Sequence, residues 1–253
     1  MSNAYEKLDL TGRSIVVTGA ATGMGHASAV LFAARGALLT LGDINDEAGE
    51  ALVAEISEAG GTATFVHTDV SNSADAKALV DAAVTQYGGL HGAFNNAGIG
   101  PVQPLHETSD ELWQRIIGIN LTGIFNMMKH EIAYFLEHGN ASIVNTASLA
   151  GVKSVFGMGA YVASKHGVVG LTRAASQEYA ARGIRVNAIL PALIKTPMLD
   201  ATGPVGEELE KGQPIGHAGE PEDIAEQAAW LLSDASAYST GSLYAVDGGS
   251  NSI

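Results

Sequence analysis

The opening of the chain, residues 13–43, limits the possible folds more than any other stretch, because a glycine-bearing turn separates two short apolar runs. Residues 13–18 and residues 37–43 are rich in aliphatic side chains, several of them β-branched, as is typical of buried strands. Between the two runs, apolar side chains recur at helical spacing, at Ala27, Val30, Leu31 and Ala34. A helix between two buried strands predicts a βαβ unit with parallel strands.

The turn after the first run carries Gly19, Gly23 and Gly25 in a Gly-x-x-x-Gly-x-Gly spacing, which differs from the common Gly-x-Gly-x-x-Gly dinucleotide fingerprint. The physical logic is shared, because glycine lets a backbone approach a phosphate at a helix N-terminus. Asp43 follows Gly25 by 18 residues, near the position where a carboxylate binds an adenosine ribose. The glycines could instead form an ordinary turn, and Asp43 could be a charge near a helix N-terminus. Because the glycines and Asp43 occur in one βαβ unit, a cofactor site is favoured.

The same alternation continues along the chain. Further strands are predicted at residues 62–67, 91–95, 141–147, 184–190 and 241–246. Further helices are predicted at residues 46–59, 73–87 and 108–138, through Tyr161 and Lys165 to Arg182, and from residue 220 onward. Thr108 is expected to cap the helix over 108–138, with Glu111 completing a capping box. Seven strands and six helical stretches predict one α/β domain over residues 1–253, built on a doubly wound parallel sheet.

Charge and composition exclude several classes of function. The formal net charge of −14 would repel nucleic acid, so we expect no nucleic-acid partner. The first seven residues show no apolar run after a basic start, and no later segment is long enough to cross a bilayer. We therefore expect a soluble, cytoplasmic protein with no membrane partner. Because the chain has no cysteine, disulfides, thiol nucleophiles and Cys-based metal sites are excluded, and no metal site is predicted.

Tyr161 and Lys165 lie four residues apart on a predicted helix, so their side chains share one face. A phenol ordinarily titrates near ~10, and a fixed cation beside it favours the ionised form, which makes it a usable proton donor and acceptor nearer neutrality. Tyrosine and lysine also meet at this spacing on many helix surfaces without any chemistry. Taken alone, the pair favours the surface alternative.

Taken together, the motifs resemble those of the short-chain dehydrogenase/reductase family of NAD(P)-dependent oxidoreductases over essentially the whole chain. The matching residues occur in the family's order: the turn from Thr18 to Gly25, Asp69, the Asn-Asn-Ala-Gly run at 95–98, Asn120, Ser148, Tyr161, Lys165 and the segment led by Pro191. The resemblance implies a single-domain, Rossmann-like, seven-stranded parallel sheet with helices on both faces. It also implies a homotetramer, in which the long helices after Asn120 and Tyr161 make the main contacts.

The resemblance further implies a catalytic group of Asn120, Ser148, Tyr161 and Lys165. Tyr161 would pass a proton to or from the substrate oxygen while hydride moves between the substrate carbon and the nicotinamide. Lys165 would hold the nicotinamide ribose and, with the positive ring of the oxidised cofactor, lower the pKa of Tyr161. Ser148 would hydrogen-bond the substrate oxygen. Asn120 would sit behind Lys165 and support a water through which protons leave.

The cofactor-binding residues implied by the resemblance are Gly19, Thr22, Gly23, Met24, Gly25, Asp43, Ile44, Asp69, Val70, Asn96, Ala97, Gly98, Tyr161, Lys165, Pro191, Ile194 and Thr196. NAD is predicted over NADP, because a 2′-phosphate would face the Asp43 carboxylate with no Lys or Arg in the glycine turn or directly after Asp43. One departure from the family pattern is Ala192 after Pro191, where the family commonly has glycine. The added methyl is expected to change the pocket shape slightly.

The substrate is expected to be a small molecule. Residues 191–216 are predicted to form a substrate loop that acts as a lid. The predicted substrate-contacting residues are mostly apolar: Ser148, Ala150, Val152, Phe156, Met158, Tyr161, Ala192, Met198 and Leu199. This composition favours a hydrophobic secondary alcohol or a cyclic ketone.

Two alternative functions share these motifs. A 3-oxoacyl-carrier-protein reductase has an acidic partner and usually uses NADPH, which agrees poorly with a net charge of −14 and with Asp43. A non-catalytic NAD-sensing protein would typically lack the catalytic Tyr or Lys, and both residues are present here. The sequence therefore favours an NAD-dependent alcohol dehydrogenase or ketone reductase.

Overall fold

The computed structural model describes residues 8–200 and 210–252. Seven strands lie within these residues: β1 Ser14–Thr18, β2 Leu38–Asp43, β3 Thr62–His67, β4 Gly92–Asn95, β5 Ala141–Thr146, β6 Ile184–Pro191 and β7 Leu243–Val246. They form one sheet in the order β3-β2-β1-β4-β5-β6-β7, and every neighbouring pair is parallel. The predicted doubly wound parallel sheet is therefore confirmed.

Helices cover both faces of the sheet. Their bounds are α1 Gly23–Ala34, α2 Asp46–Glu58, α3 Ser73–Tyr87, α4 Asp110–Ile117, α5 Gly123–His138, α6 Gly159–Tyr179, α7 Pro197–Asp200 and α8 Pro221–Leu232. Successive strand residues point to opposite faces, so Val16 packs into one core with α3, α5 and α6, whereas Ile15 and Val17 pack into the other with α1, α2 and α8. Burial on both faces explains why the strands read as continuous apolar runs.

The chain reverses its direction of sheet building between β1 and β4. From β1 it adds β2 and β3 on one side, and it then crosses over to place β4, β5, β6 and β7 on the other. Thr18, the last residue of β1, pairs with Asn95, the last residue of β4. Open α/β sheets bind ligands at such a switch point, outside the carboxyl ends of the strands. The fold therefore gathers the ends of β1, β2, β4 and β5 around one crevice.

The chain is helical without a gap from Asp110 to His138, and a π-helical segment, Gly118–Thr122, separates α4 from α5 within this stretch. The predicted cap is wrong, because the helix is capped by Ser109 rather than by Thr108. The Ser109 hydroxyl accepts the Leu112 N–H at 3.2 Å, whereas the Thr108 hydroxyl donates to the Pro104 carbonyl at 3.1 Å. The Thr108 side chain thus stabilises the turn before the helix and is not its cap.

Other boundaries shift slightly. The predicted strand at 241–246 begins only at Leu243, because Gly241 has a φ of +70°, which an extended strand does not accommodate. The predicted substrate loop contains α7, and its residues 201–209 lie outside the described part of the chain. No helix in the described ranges is long and apolar enough to span a bilayer.

Candidate active site

The glycine turn packs closely against the end of β4. Gly19 and Gly23 have φ values of +62° and +54°, in the left-handed region that favours glycine. A Cβ atom on Gly25 would lie 1.9 Å from the Gly19 carbonyl oxygen, and one on Gly19 would lie 2.8 Å from Ala97 Cα. Thr22 caps α1 without a side-chain hydrogen bond to the backbone. The Thr22 side chain thus accepts no hydrogen bond from the N–H groups of the first turn, which suits a helix N-terminus that binds phosphate.

The Asp43 carboxylate at the end of β2 is fixed beside this turn. Its Oδ2 accepts the Ala21 N–H at 3.0 Å, and its Oδ1 accepts the Asn45 N–H at 3.0 Å. Asp43 is partly exposed, and the Ile44 side chain that follows is exposed. Two backbone donors therefore hold the carboxylate at the mouth of the crevice, with an uncharged residue next to it.

Polar side chains tie together the ends of β1, β4 and β5. Thr18 Oγ1 accepts the N–H groups of Asn96, at 3.0 Å, and of Ala97, at 3.2 Å. Asn96 Nδ2 donates to the Gly19 carbonyl at 3.3 Å, and Asn96 Oδ1 accepts the Thr146 hydroxyl at 3.2 Å. The segment from Asn96 onward is thus held between the glycine turn and the end of β5.

Asp69 and Val70 follow the end of β3. Asp69 Oδ1 accepts the Ser71 N–H at 2.9 Å and the Ser71 hydroxyl at 2.7 Å. The Val70 side chain is buried against α5, where a Cβ on Gly123 would lie 2.6 Å from Val70 Cγ2. Because the Val70 side chain belongs to the core, a ligand would reach only its backbone.

The loop after β6 folds back over the glycine turn. A Cβ on Gly23 would lie 3.0 Å from Thr196 Cγ2, and the Thr196 hydroxyl donates to the Ile194 carbonyl at 3.3 Å. Pro191 and Ile194 are buried, and the Ile194 side chain packs into the core next to α1 and α8. The structure therefore brings the predicted residues of this loop to the crevice, with Thr196 nearest the turn.

The Ser148 side chain lies beside the Tyr161 phenol and favours its ionised form. Ser148 lies just beyond β5, where its Oγ accepts the Ala150 N–H at 3.1 Å, and Tyr161 is half-buried in the first turn of α6. Burial raises the pKa of the Tyr161 phenol above its usual value, and the Ser148 side chain lowers it by less. The lowering that the resemblance implies, from Lys165 together with an oxidised cofactor, stays a prediction.

The surroundings of Lys165 disfavour its charged form. The Lys165 side chain is only 3% exposed, its Nζ donates to the Thr146 carbonyl at 2.7 Å, and it lies 5.6 Å from the centroid of the Tyr161 ring. Burial lowers the pKa of Lys165 to about 8. A fraction of Lys165 is therefore uncharged near neutral pH, and its bond is made to a backbone oxygen rather than to the phenol.

Asn120 lies within the π-helical segment between α4 and α5 and is fully buried. Its Oδ1 accepts the Ile99 N–H at 2.8 Å, and its Nδ2 donates to the Ile99 carbonyl at 2.8 Å and to Ser164 Oγ at 3.2 Å. Both polar atoms of the side chain thus hold the segment after β4 against α6. π-Helical turns occur frequently at functional sites.

Asn120, Lys165 and the backbone of Gly98 converge at one point. A Cβ on Gly98 would lie 3.4 Å from Asn120 Oδ1 and 3.6 Å from Lys165 Nζ. Ser164, which accepts from Asn120, donates to the Tyr161 carbonyl at 2.7 Å. The structure therefore brings Asn120, Tyr161 and Lys165 together, and Ser148 lies beside the Tyr161 phenol.

The predicted substrate-contacting residues differ in their exposure. Phe156 is 96% exposed, Val152 and Met198 are exposed, and Met158, Ala192 and Leu199 are half-buried near the crevice. Ala150, which the sequence places among the substrate-contacting residues, is only 1% exposed. The 3-10 turn Leu149–Gly151 places Ala150 inside the protein.

The segment after β4 forms an apolar wall that was not predicted from the sequence. Val102 and Leu105 are exposed, at 53% and 68%. A Cβ on Gly157 would lie 3.1 Å from Val102 Cγ1, and one on Gly159 would lie 3.0 Å from Leu105 Cδ1. The signal that could have found this wall is a pair of large apolar residues in a glycine- and proline-rich stretch that directly follows a strand end.

This wall reaches the predicted substrate loop. A Cβ on Gly100 would lie 2.9 Å from Met198 Sδ and 3.5 Å from Met158 Cε. The Gln103 N–H donates to the Gly157 carbonyl at 2.6 Å, which joins the segments after β4 and β5. Three loops, those after β4, β5 and β6, thus contact one another, and mostly apolar side chains line their contacts.

The crevice has the form that a dinucleotide requires. Glycines 19 and 25 leave no room for side chains, a helix begins at the turn, and a fixed carboxylate stands at the end of β2. In the part of the chain that the structure describes, no group of three His, Asp or Glu side chains is placed to hold a metal ion. The polar groups at the inner end are a phenol, a hydroxyl and a buried amine.

Known proteins resemble this chain over nearly its full length. A family model described as Enoyl-(Acyl carrier protein) reductase matches residues 19–251. The 2,5-dichloro-2,5-cyclohexadiene-1,4-diol dehydrogenase of Sphingobium indicum is 47% identical over 251 residues, which cover 97% of this chain and 99% of that protein. The cyclohexanol dehydrogenase of an Acinetobacter species is 44% identical over 249 residues, which cover 98% of this chain and 96% of that protein.

A solved structure shows the same likeness in three dimensions. The crystal structure of a short-chain type dehydrogenase/reductase from Mycobacterium marinum matches with a TM-score of 0.94 and 32% sequence identity, covering 98% of each chain. The fold of this chain is thus shared with a solved protein of comparable sequence.

Proposed function

Because this chain belongs to the short-chain dehydrogenase/reductase family and is an oxidoreductase that interconverts a secondary alcohol and a ketone, we propose that its cofactor is NAD and that its substrate is a cyclic, mainly apolar alcohol. The observation that carries this proposal is that Ser148, Tyr161 and Lys165 lie together beyond the carboxyl end of β5, in the crevice that the glycine turn borders.

The apolar surroundings support a cyclic substrate. Val102, Leu105 and Phe156 present exposed apolar area on the loops that lead to the helix carrying Tyr161, so a substrate ring could move from water onto this surface. The two relatives at 47% and 44% identity are named for a cyclohexadiene diol and for cyclohexanol. A six-membered carbocycle with a secondary hydroxyl is therefore the proposed substrate class.

Tyr161 is the proposed acid and base. In alcohol oxidation the ionised phenol takes the hydroxyl proton of the substrate, and in ketone reduction the neutral phenol donates a proton to the ketone oxygen. Ser148 donates a hydrogen bond to the same substrate oxygen and orients it toward Tyr161. A bound nicotinamide supplies the chemistry of accepting hydride from the carbinol carbon or returning it to the carbonyl carbon.

Several elements would hold the cofactor. The turn with Gly19, Gly23 and Gly25 would receive the pyrophosphate, Asp43 the adenosine ribose, and Lys165 the nicotinamide ribose. Asn120 braces the segment from Asn96 to Gly98 against α6, so that this wall of the crevice keeps its place. When Lys165 is protonated, its charge favours the ionised form of Tyr161 and offsets part of the effect of burial.

The choice of NAD over NADP depends on Asp43. Both carboxylate oxygens accept backbone N–H groups, so Asp43 cannot easily turn away from a ligand. A 2′-phosphate at this position would meet a like charge, and neither residues 19–25 nor residues 44–48 contain a Lys or Arg to compensate. A ribose 2′-hydroxyl could instead donate a hydrogen bond to the carboxylate.

The proposal extends to assembly and location. Exposed apolar side chains on α4 and α5, Trp113 and Phe125, support a homotetramer built on the face that α5 and α6 form. We place this assembly in the cytoplasm, with residues 1–253 acting as one catalytic domain and residues 191–216 as its substrate loop.

The test is a panel of cyclic secondary alcohols, with open-chain secondary alcohols of equal carbon number as matched substrates, followed by NADH absorbance. We expect higher kcat/KM for the cyclic members, and higher kcat/KM with NAD than with NADP. The Asp43→Ser variant should lose NAD efficiency by about 10- to 100-fold, the value of a hydrogen bond to a charged group. Glu50→Gln, at an exposed glutamate on α2, is the control for the loss of one negative charge.

Faster turnover of open-chain alcohols would refute the substrate class. A preference for NADP in the parent protein would refute the cofactor assignment. A 3-oxoacyl thioester in the same panel tests the acyl-carrier alternative, and the proposal predicts that it is turned over more slowly than the cyclic alcohols.

A further inference from the structure

A carboxyl group is buried in the core behind the crevice. Glu131 lies in the middle of α5 and is 0% exposed. Its Oε2 accepts a hydrogen bond from Asn95 Nδ2 at 3.1 Å, and its Oε1 has no hydrogen-bond partner within residues 8–200 and 210–252. An isolated ionised carboxylate is very costly to bury, so the protonation state of Glu131 requires an explanation.

The partners of Asn95 show what Glu131 lacks. Asn95 Nδ2 also donates to Asn145 Oδ1 at 3.1 Å, and Asn145 Nδ2 donates to the Thr172 hydroxyl at 3.0 Å. Asn95 Oδ1, like Glu131 Oε1, is buried and has no partner. The two unpartnered atoms thus belong to the two side chains that already share one hydrogen bond. Both are acceptors when Glu131 is ionised, whereas a proton on Oε1 would make one of them a donor.

We propose that Glu131 is protonated in the folded protein and that its hydroxyl donates to Asn95 Oδ1, closing a cyclic acid–amide pair that positions the cofactor-binding end of β4. One N–H···O bond and one O–H···O bond then join the two side chains and satisfy both orphaned atoms. The positioning role rests on the proposed function, since it requires that residues 96–98 hold the cofactor.

The pair is joined to the crevice through the strands themselves. Asn95 is followed directly by Asn96, which bonds the glycine turn. Asn145 is followed directly by Thr146, whose carbonyl accepts from Lys165. Glu131 therefore acts through Asn95 and Asn145 on two strand ends and is a positioning residue rather than a catalytic one.

Surrounding charges do not account for the state of Glu131. Burial raises the pKa of Glu131 to about 8, and the hydrogen bond from Asn95 lowers it by less. β4 and β5 carry no charged residue. On α3, Lys77 and Asp81 pair with each other and Asp75 accepts the Asp69 N–H, while Lys165 on α6 is bonded to a backbone carbonyl.

The remaining neighbours are on α5 itself. Lys129 is exposed, and His130 is hydrogen-bonded to Ser73. Among the described residues, none of these charges contributes to the raised pKa of Glu131, which follows from burial alone. Neutralising the group is thus the available way to hold it in the core.

Infrared difference spectroscopy tests the protonation directly. The spectrum of the parent protein minus that of Glu131→Gln at pH 6 should contain the carbonyl band of one protonated carboxylic acid. The matched control is Glu137→Gln, an exposed glutamate on the same helix, for which the difference should contain only carboxylate bands. A carboxylate band alone in the Glu131 difference would overturn the proposal.

Stability against pH gives an independent reading that needs no enzymatic activity. Because the pKa of Glu131 is raised in the folded state, its proton stabilises the fold fully below about pH 4.5, and this stabilisation is lost as the pH rises through about 8. Relative to Glu131→Gln, the unfolding constant of the parent protein should rise by up to ~10-fold per pH unit between these limits. A constant ratio over that range would contradict the proposal.

NAD affinity tests the positioning role. Glu131→Gln keeps both hydrogen bonds, with its amide N–H in place of the acid proton, and should bind NAD as the parent protein does. Glu131→Ala should raise the Kd for NAD, and the Kd of the parent protein should increase above about pH 8 in a way that Glu131→Gln does not share. If Glu131→Ala folds and binds NAD normally, the positioning role is refuted. If the parent protein binds no NAD, the proposed function fails while the infrared result still decides the protonation.

Discussion

The proton chemistry depends on a few side chains that lie just after β5 and in the first two turns of α6. Ser148 lies beside Tyr161, and Lys165 is buried against the Thr146 carbonyl. Burial raises the pKa of Tyr161, which favours the neutral phenol, and lowers the pKa of Lys165 to about 8. Alcohol oxidation needs the ionised phenol, and its rate should therefore rise with pH.

Replacing the phenol tests the role of Tyr161. Tyr161→Phe removes the proton donor and acceptor but keeps the ring, so kcat for alcohol oxidation should fall by ~10²–10⁴-fold while the Kd for NAD changes little. Tyr179→Phe, at the far end of the same helix, is the matched control and should retain activity. Activity of Tyr161→Phe equal to that of the control would reject Tyr161 as the acid and base.

The elements that build the crevice differ in how far their own sequences specify them. The glycine turn and α1 follow from local spacing, and the turn, the helix and the next strand all form where the sequence predicted them. The π-helical segment between α4 and α5 does not follow from local spacing, because its Asn120 contacts Ile99, 21 residues away in the sequence. A local pattern of apolar residues runs through this segment without interruption.

The glycine turn allows a test at the scale of the βαβ unit. Gly25→Ala places a Cβ 1.9 Å from the Gly19 carbonyl, so the turn must open. We expect a lower Tm and a large loss of NAD affinity. Gly170→Ala on α6, where nothing lies within 4 Å of the added methyl, is the control and should stabilise the helix by ~0.5–1 kcal/mol. Unchanged NAD binding by Gly25→Ala would refute the role of the turn.

Over the whole molecule, the order of strands and helices could be predicted because each buried strand ends at a glycine or a polar turn. The side-chain pairings between distant elements could not. The contact of Leu105 with the start of α6 and the pairing of Glu131 with Asn95 join residues far apart in the sequence, and no local pattern specifies them. The burial of Ala150 likewise follows from a turn whose direction its own residues do not reveal.

The central claim is that the folded chain moves hydride from a ring carbon to NAD while Tyr161 takes the proton. The most direct measurement uses cyclohexanol that carries deuterium on the carbinol carbon, with mass spectrometry of the reduced cofactor. The account predicts one deuterium per NADH formed by the parent protein and no measurable transfer by Tyr161→Phe. NADH without deuterium, or equal transfer by both proteins, would contradict it.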